Sequence, residues 1–180
     1  MILPLLEKRR SIRRFQDRAV EKEKLDLLVE AALRAPSSRN TRPWEFIVVR
    51  DRRMLEQLAG AKEHGSSFLR EAAAGIVVCA DPGKSDVWIE DASIAATLIQ
   101  LAAESLGLGS CWVQIRERPH KAGTSARDYV ARLLGLPASL QVEAIVALGY
   151  PAEEKAPHAR ESLPWAQAHD ERWGAPWKRG

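Results

Sequence analysis

The fold is decided by residues 87–106, whose sequence is VWIEDASIAATLIQLAAESL. The pattern predicts the longest helix of the chain, and its middle is apolar nearly all round, with small residues at Ala92, Ser93, Ala95 and Ala96. A helix that is apolar on every side is buried on every side. In a chain of 180 residues, this predicts a helix that lies in the core and also at a subunit interface.

The segments on both sides of this helix predict a mixed α and β domain. Gly107 and Gly109 end the helix, and short apolar runs predict strands at 45–50, 75–80, 110–115 and 142–150. Further helices are predicted at 2–9, 21–35, 52–59 and 126–134. Because the elements are interleaved without a linker or a repeat, we expect a single domain over residues 1–180.

Local signals support two of these helices. Residues 21–35 are amphipathic, and Pro36 stops the helix because proline cannot continue the hydrogen-bond ladder. The apolar side is predicted to consist of Leu25, Leu28, Val29, Ala32 and Leu33. Ser125 with Asp128 forms a capping-box pattern that opens the helix at 126–134.

The tail, residues 151–180, contains several prolines and three tryptophans, Trp165, Trp173 and Trp177. A tail this aromatic is unlike a disordered one. It is expected to pack either on the core of its own chain or on a partner.

Composition excludes several classes of protein. The hydrophobic fraction of 46% and charged fraction of 28% are those of a soluble globular protein. No apolar stretch is long enough for a membrane span, and MILPLLEKRR does not have the order of a signal peptide, so we expect a cytoplasmic protein without a membrane partner. Cys79 and Cys111 are expected to be buried, reduced thiols.

The net charge of +3 is concentrated near the N-terminus, where arginines crowd residues 9–18. A basic cluster is compatible with nucleic acid, a membrane surface or a phosphorylated ligand. No nucleic-acid-binding motif accompanies it, so no nucleic-acid partner is predicted. GxGxxG after a strand, GxxxxGK[ST], HExxH and GxSxG are all absent, and the four histidines lack metal-ligand spacing. We therefore expect no metal site, and a cofactor that carries the chemistry.

Two motifs point to a family. RRSIRRF (9–15) and APSSRNTRPW (35–44) resemble the nitroreductase family of flavoenzymes, although Arg42 stands where the family pattern has glutamine. DASIAATLIQLAAESLGLGSCW (91–112), LGYP (148–151) and PHAR (157–160) match further segments of the family in the same order.

The resemblance implies an α+β fold with a central, mostly antiparallel sheet flanked by helices, in an intertwined homodimer with FMN between the subunits. It implies an NAD(P)H:acceptor oxidoreductase in which hydride passes from NADH or NADPH through flavin N5 to a small oxidised molecule such as a nitroaromatic or a quinone. Two alternatives stay open: a flavoenzyme of the same fold with other chemistry (ene reduction, dehalogenation or flavin fragmentation), and a non-catalytic FMN-binding protein.

The resemblance also implies cofactor-binding residues. The FMN phosphate and ribityl chain are assigned to Arg9, Arg10, Ser11 and Arg160, with His158 where relatives often have lysine. Forked guanidinium groups suit a phosphate. Arg13 is assigned to the N1 edge of the flavin ring, where reduction adds negative charge.

The remaining assignments come from the loop and from one strand end. The loop residues Pro36, Ser37, Ser38 and Asn40 are expected to contact the ring edge and the ribityl chain. At the strand end Trp112–Ile115, the backbone N–H of Gln114 is assigned to flavin N5, and Trp112 lies in the same stretch. No side chain is assigned as a catalytic acid or base.

Overall fold

The computed structural model describes residues 1–178 and 180, apart from the side chain of Ala122. In this part of the chain, the α-helices are α1 (Leu3–Lys8), α2 (Lys22–Leu33), α3 (Arg52–Ala59), α4 (Trp88–Ser105) and α5 (Ala126–Leu134). The strands are β1 (Trp44–Val49), β2 (Ala74–Ala80), β3 (Gly109–Gln114) and β4 (Gln141–Gly149). Each predicted element is confirmed, with bounds that differ by at most two residues. The 3-10 helix at Ser67–Glu71 lies in a stretch whose pattern predicted no element.

The strands form one antiparallel sheet in the order β1-β2-β4-β3. β2 is buried along its whole length, and β4 is buried from its second residue onward. Strands that are covered on both faces lack the alternation of a half-exposed sheet. The short apolar run at 75–80 fits such a central strand, and the antiparallel sheet that the resemblance implies is confirmed.

Helices cover both faces of this sheet. On one face, α2 and α4 pack on the strands through side chains such as Leu28, Ile99 and Val146. On the other face lie α3 and α5, whose Leu58 and Val130 meet Ile145. The predicted α+β class with flanking helices is therefore confirmed.

The buried side of α2 is narrower than the sequence predicts. Leu25, Leu28 and Ala32 are buried, whereas Leu33 is 56% exposed. Leu33 is the last residue of the helix, and it lies outside the side that packs on α4. The prediction that Leu33 belongs to the buried side was wrong for the single chain.

Two further surfaces remain open in the single chain. α4 is buried on most sides, but Ile94 is 41% exposed. In the tail, Trp173 is 91% exposed and Trp177 is 51% exposed. Of the two expectations for the tail, packing on the core of its own chain is not observed for these two tryptophans. No described helix is long and apolar enough to cross a membrane.

Candidate functional site

The N-terminal segment, residues 9–15, runs along the start of β3. Ser11 forms a parallel bridge with Ser110, and the Ile12 N–H donates to the Ser110 carbonyl at 2.9 Å. The approach is close because β3 begins with Gly109, where a Cβ atom would lie 2.9 Å from Ile12 Cγ2. Ile12 is buried, so the segment is anchored by an apolar side chain while Arg13 and Arg14 stay exposed.

The arginine side chains of this segment contact different parts of the chain. Arg9 Nη1 donates to Gln100 Oε1 on α4 at 3.3 Å. Arg10 donates to the Ala156 carbonyl and lines a cavity of about 460 Å³. The other charged side chains of this cavity are Lys8, Lys155, Glu104, Glu153 and Glu154. The Arg13 guanidinium lies over the ring of Phe68, 5.8 Å from its centroid. The segment thus presents several cations around the start of β3, although each of them has its own local contact.

Two residues that the sequence reasoning missed hold this segment from the other side. Glu153 Oε1 accepts from the backbone N–H of Arg13 at 2.5 Å and from that of Arg14 at 3.2 Å. Lys155 Nζ donates to the Ser11 carbonyl at 2.5 Å. The Arg13 N–H is the main cause that lowers the pKa of the Glu153 carboxyl. No local pattern reveals such a contact, because the partners lie 140 residues apart in the chain.

The loop of residues 36–43 lies at the N-terminal end of α4. Asp91, in the first turn of α4, is 3% exposed, and its carboxylate accepts from the Ser38 N–H at 2.9 Å and from the Ser85 hydroxyl at 2.8 Å. Asp91 therefore ties the loop to the helix. The sequence reasoning did not assign Asp91 a role.

The conformation of this loop is unusual for residues other than glycine. Arg39, Asn40 and Arg42 have φ values of 50°, 56° and 48°. Such left-handed conformations cost energy, and they persist where the surroundings fix them. Here the Ser37 hydroxyl accepts from the Arg42 N–H at 3.0 Å, and Arg42 Nε donates to Asn40 Oδ1 at 2.9 Å.

The end of β3 presents a backbone donor toward an open edge. The Ile115 N–H donates to the Glu143 carbonyl of β4 at 3.1 Å, and the register pairs the preceding Gln114 with Ala144. Residues of an antiparallel ladder bond to the neighbouring strand alternately. The Gln114 N–H therefore points away from β4, and β3 is the last strand in the order of the sheet.

Side-chain contacts fix the same strand end. Gln114 Oε1 accepts from the indole N–H of Trp112 at 2.8 Å, and Gln114 Nε2 donates to Glu143 Oε1 at 3.1 Å. Arg116 Nε lies 3.1 Å from the other carboxylate oxygen of Glu143, which is 3% exposed. Both partly buried side chains, Trp112 and Gln114, are thus held in place.

The C-terminal candidates lie near α1, on the surface. The His158 N–H donates to the Glu7 carbonyl at 3.0 Å, and the Arg160 carbonyl accepts from the Trp165 indole at 2.9 Å. Both His158 and Arg160 are exposed.

The candidates therefore fall into separate places within one chain. Arg9, Arg10, Ser11 and Arg13 lie together at the start of β3. The loop of residues 36–43 is tied to α4 at Asp91, about 13 Å along the helix axis from the Gln100 that Arg9 contacts. Trp112 and Gln114 occupy the far end of β3.

Neither a metal site nor a disulfide emerges from the residues that the structure describes. No group of three or more His, Cys, Asp or Glu side chains among them could hold a metal ion. Cys79 and Cys111 are free and buried, as expected. Burial raises the pKa of both thiols, that of Cys79 to about 12.

Comparisons with known proteins give a consistent result. The family profile described as "Nitroreductase family" matches residues 6–63 and 55–150. A protein from Archaeoglobus fulgidus, provisionally named NADH dehydrogenase/NAD(P)H nitroreductase, is 42% identical over 157 residues, which are 85% of this chain and 87% of the relative.

Solved structures are also similar. An FMN-dependent nitroreductase from Clostridium difficile R20291 is 47% identical, with a TM-score of 0.92 over 94% of this chain and 98% of the other. A provisionally named nitroreductase from Desulfovibrio desulfuricans, solved in complex with FMN, is 33% identical, with a TM-score of 0.71 over 84% of this chain and 87% of the other.

Proposed function

Because the chain belongs to the nitroreductase family, we propose that it is an FMN-dependent NAD(P)H oxidoreductase. It takes hydride from NADH or NADPH and reduces a small oxidised acceptor, such as a nitroaromatic or a quinone. The observation that carries the proposal is the cationic N-terminal segment against the start of β3, beside a strand whose last N–H faces an open edge.

The residues present fit the chemistry of FMN. A phosphate dianion needs forked cationic donors, and Arg9 and Arg10 supply them next to the Ser11 hydroxyl. Arg160 and His158 are exposed and can add donors from the C-terminal side.

When bound, FMN would supply the two-electron chemistry between NADH or NADPH and the acceptor. The chain would supply binding and electrostatics. The Arg13 guanidinium would stabilise negative charge at the N1 edge of the ring, and the Gln114 N–H would donate at N5. The fixed side chains of Trp112 and Gln114 keep that donor in place. No side chain is assigned as an acid or base.

A complete site requires two copies of the chain. The loop residues Pro36, Ser37, Ser38 and Asn40 lie apart from the N-terminal segment in one chain. In a two-fold symmetric dimer, the loop of each subunit would lie against the N-terminal segment of the other subunit, so the dimer would have two equivalent sites. Exposed apolar side chains need cover in the single chain, among them those of Leu3, Ile94, Trp173 and Trp177. We also propose a cytoplasmic location, because both buried cysteines are free thiols.

The deciding experiment is the absorption spectrum of the purified protein before and after anaerobic addition of NADPH or NADH. A yellow protein that releases FMN, bleaches with a nicotinamide and recovers its colour with a nitroaromatic supports the proposal. Bound FMN that neither nicotinamide bleaches would identify a non-catalytic flavin protein. Bleaching without turnover of nitroaromatics or quinones would indicate a flavoenzyme of other chemistry.

A further inference from the structure

Two side chains that follow β4 hold the backbone of the N-terminal segment. The Glu153 carboxylate accepts from two successive N–H groups, those of Arg13 and Arg14, and Lys155 donates to the Ser11 carbonyl. Glu153 and Lys155 are also paired with each other, at 3.4 Å, and their side chains are only 20% and 27% exposed. Three backbone groups within four residues are thus bound by one ion pair, the Glu153–Lys155 pair.

These contacts add to the backbone anchors of the segment. The Ile12 N–H is bound by β3, and the Gln16 N–H donates to the Tyr150 carbonyl at 2.8 Å. Between them, the Arg14 carbonyl accepts from the Ala152 N–H at 2.9 Å. The acceptor for the N–H groups of Arg13 and Arg14 is Glu153. Because both N–H groups donate to the same carboxylate oxygen, Glu153 fixes the backbone from which the Arg13 side chain projects.

The negative charge of Glu153 distinguishes a positioning role from an electrostatic one. A carboxylate beside a phosphate-binding segment repels an anionic ligand and opposes the addition of negative charge to a flavin ring. Lys155 offsets part of that cost through the ion pair. The presence of a carboxylate here is therefore explained by the hydrogen bonds that its oxygen accepts, and not by the electrostatic effect of its charge on the cofactor.

We propose that Glu153, supported by Lys155, is a positioning residue that sets the place of Arg13 in the cofactor site. The proposal rests on the proposed FMN function. It assigns Glu153 no direct contact with substrate or cofactor. It predicts that the oxygen acceptor at position 153 matters more than the negative charge.

The test compares Glu153→Ala with Glu153→Gln, because both variants lack the charge and only the glutamine keeps an oxygen that can accept the two N–H bonds. Glu154→Ala is the control for the loss of an adjacent acidic residue. FMN affinity is measured by quenching of flavin fluorescence on the apoprotein, and the midpoint potential of each holoprotein by spectroelectrochemistry. Thermal unfolding of each apoprotein reports whether the variant is folded.

We expect Glu153→Ala to weaken FMN binding by roughly tenfold or more, as for loss of a hydrogen bond to a charged group. Glu153→Gln should stay within about threefold of wild type, and Glu154→Ala should be unchanged. The potential of Glu153→Ala should lie below that of Glu153→Gln, because a displaced Arg13 no longer stabilises the reduced ring.

Three results would overturn the proposal. Equal affinity and potential for the alanine and glutamine variants would mean that the charge acts and not the bonds. A potential that rises in Glu153→Ala above the glutamine variant would reverse the predicted sign. An FMN affinity of Glu153→Ala equal to that of wild type would show that Glu153 does not affect the cofactor site.

A wild type that binds no FMN would instead contradict the proposed function. In that case amide exchange still tests the contacts directly. The Arg13 and Arg14 amides should be protected in wild type and in Glu153→Gln, and should exchange quickly in Glu153→Ala. Equal protection in all three proteins would overturn the proposal without any cofactor.

Discussion

Substituting Gly109 with alanine tests how closely the N-terminal segment must approach β3. The added Cβ would lie 2.9, 3.0 and 3.1 Å from Ile12 Cγ2, Cβ and Cγ1. Side-chain rotation cannot remove the clash, because Ile12 Cβ is itself one of the close atoms and a β-branched residue is stiff at χ1. The backbone of the segment must therefore move away from β3.

The expected cost follows from these contacts. Overpacking of a close contact costs about 1–3 kcal/mol, and loss of the Ile12–Ser110 backbone bond adds about 1 kcal/mol. We expect Gly109→Ala to destabilise the apoprotein by about 2–4 kcal/mol. For a domain of this size that lowers Tm by roughly 4–16 °C. FMN binding should weaken as well, since Arg9 and Arg13 move with the segment.

A double-mutant cycle supplies the control. Ile12→Ala alone removes a buried side chain and costs about 2–5 kcal/mol. Combined with Gly109→Ala, it also removes two of the three clashing atoms, so the double variant should be more stable than the sum of the single effects by about 1–2 kcal/mol. The assays are thermal unfolding and FMN titration. A Tm of Gly109→Ala within 1 °C or so of wild type, or strict additivity in the cycle, would refute the reasoning.

Further predictions concern the proposed site, acid stability, a helix cap and assembly. Arg13→Ala should lower the flavin midpoint potential by roughly 20–65 mV, whereas Arg9→Ala should weaken FMN binding and leave the potential nearly unchanged; spectroelectrochemical titration showing the reverse would exchange the two assignments. The pKa of Glu21 is lowered from 4.5 to about 2, with the hydrogen bond from the Tyr150 hydroxyl as the largest cause. The stability that Glu21 contributes is therefore present above pH 4.5 and is lost as the pH falls toward 2. Acid unfolding of Glu21→Gln should show a smaller loss over that window, and equal losses would contradict the assignment. Ser125→Ala removes the N-cap acceptor of α5 and should cost about 1 kcal/mol in denaturant unfolding, with no change in FMN affinity. Light scattering should give the mass of a dimer at micromolar concentration, and a soluble, flavin-loaded monomer would disprove the proposed assembly.

Much of the fold could be predicted from local sequence because its signals are local. The Ser125–Asp128 pattern predicted the start of α5, and the side chain of Ser125 does accept from the Asp128 N–H. The apolar run at 75–80 predicted a strand, and β2 lies there and is buried throughout. The family resemblance, carried by residues 9–15 and 35–44, was confirmed by the comparisons.

The contacts that support the candidate site could not be predicted in this way. Glu153 and Asp91 are single acidic residues whose partners, Arg13 and Ser38, lie 140 and 53 residues away. Leu33 fits the helical spacing but lies outside the side of α2 that packs on α4, so periodicity alone misplaced it. The roles assigned to individual cofactor-binding residues remain predictions.

The joining of residues 11–16 to residues 150–155 also bears on how the protein is made. Synthesis runs from the N-terminus, so the arginines of the N-terminal segment leave the ribosome well before their partners on and after β4. The antiparallel pairing of β4 with both β2 and β3 likewise cannot form until β4 has been translated. Contacts of such long sequence separation form slowly. The nascent chain therefore has no complete place to receive a flavin until residues 150–155 have been translated and have joined the N-terminal segment.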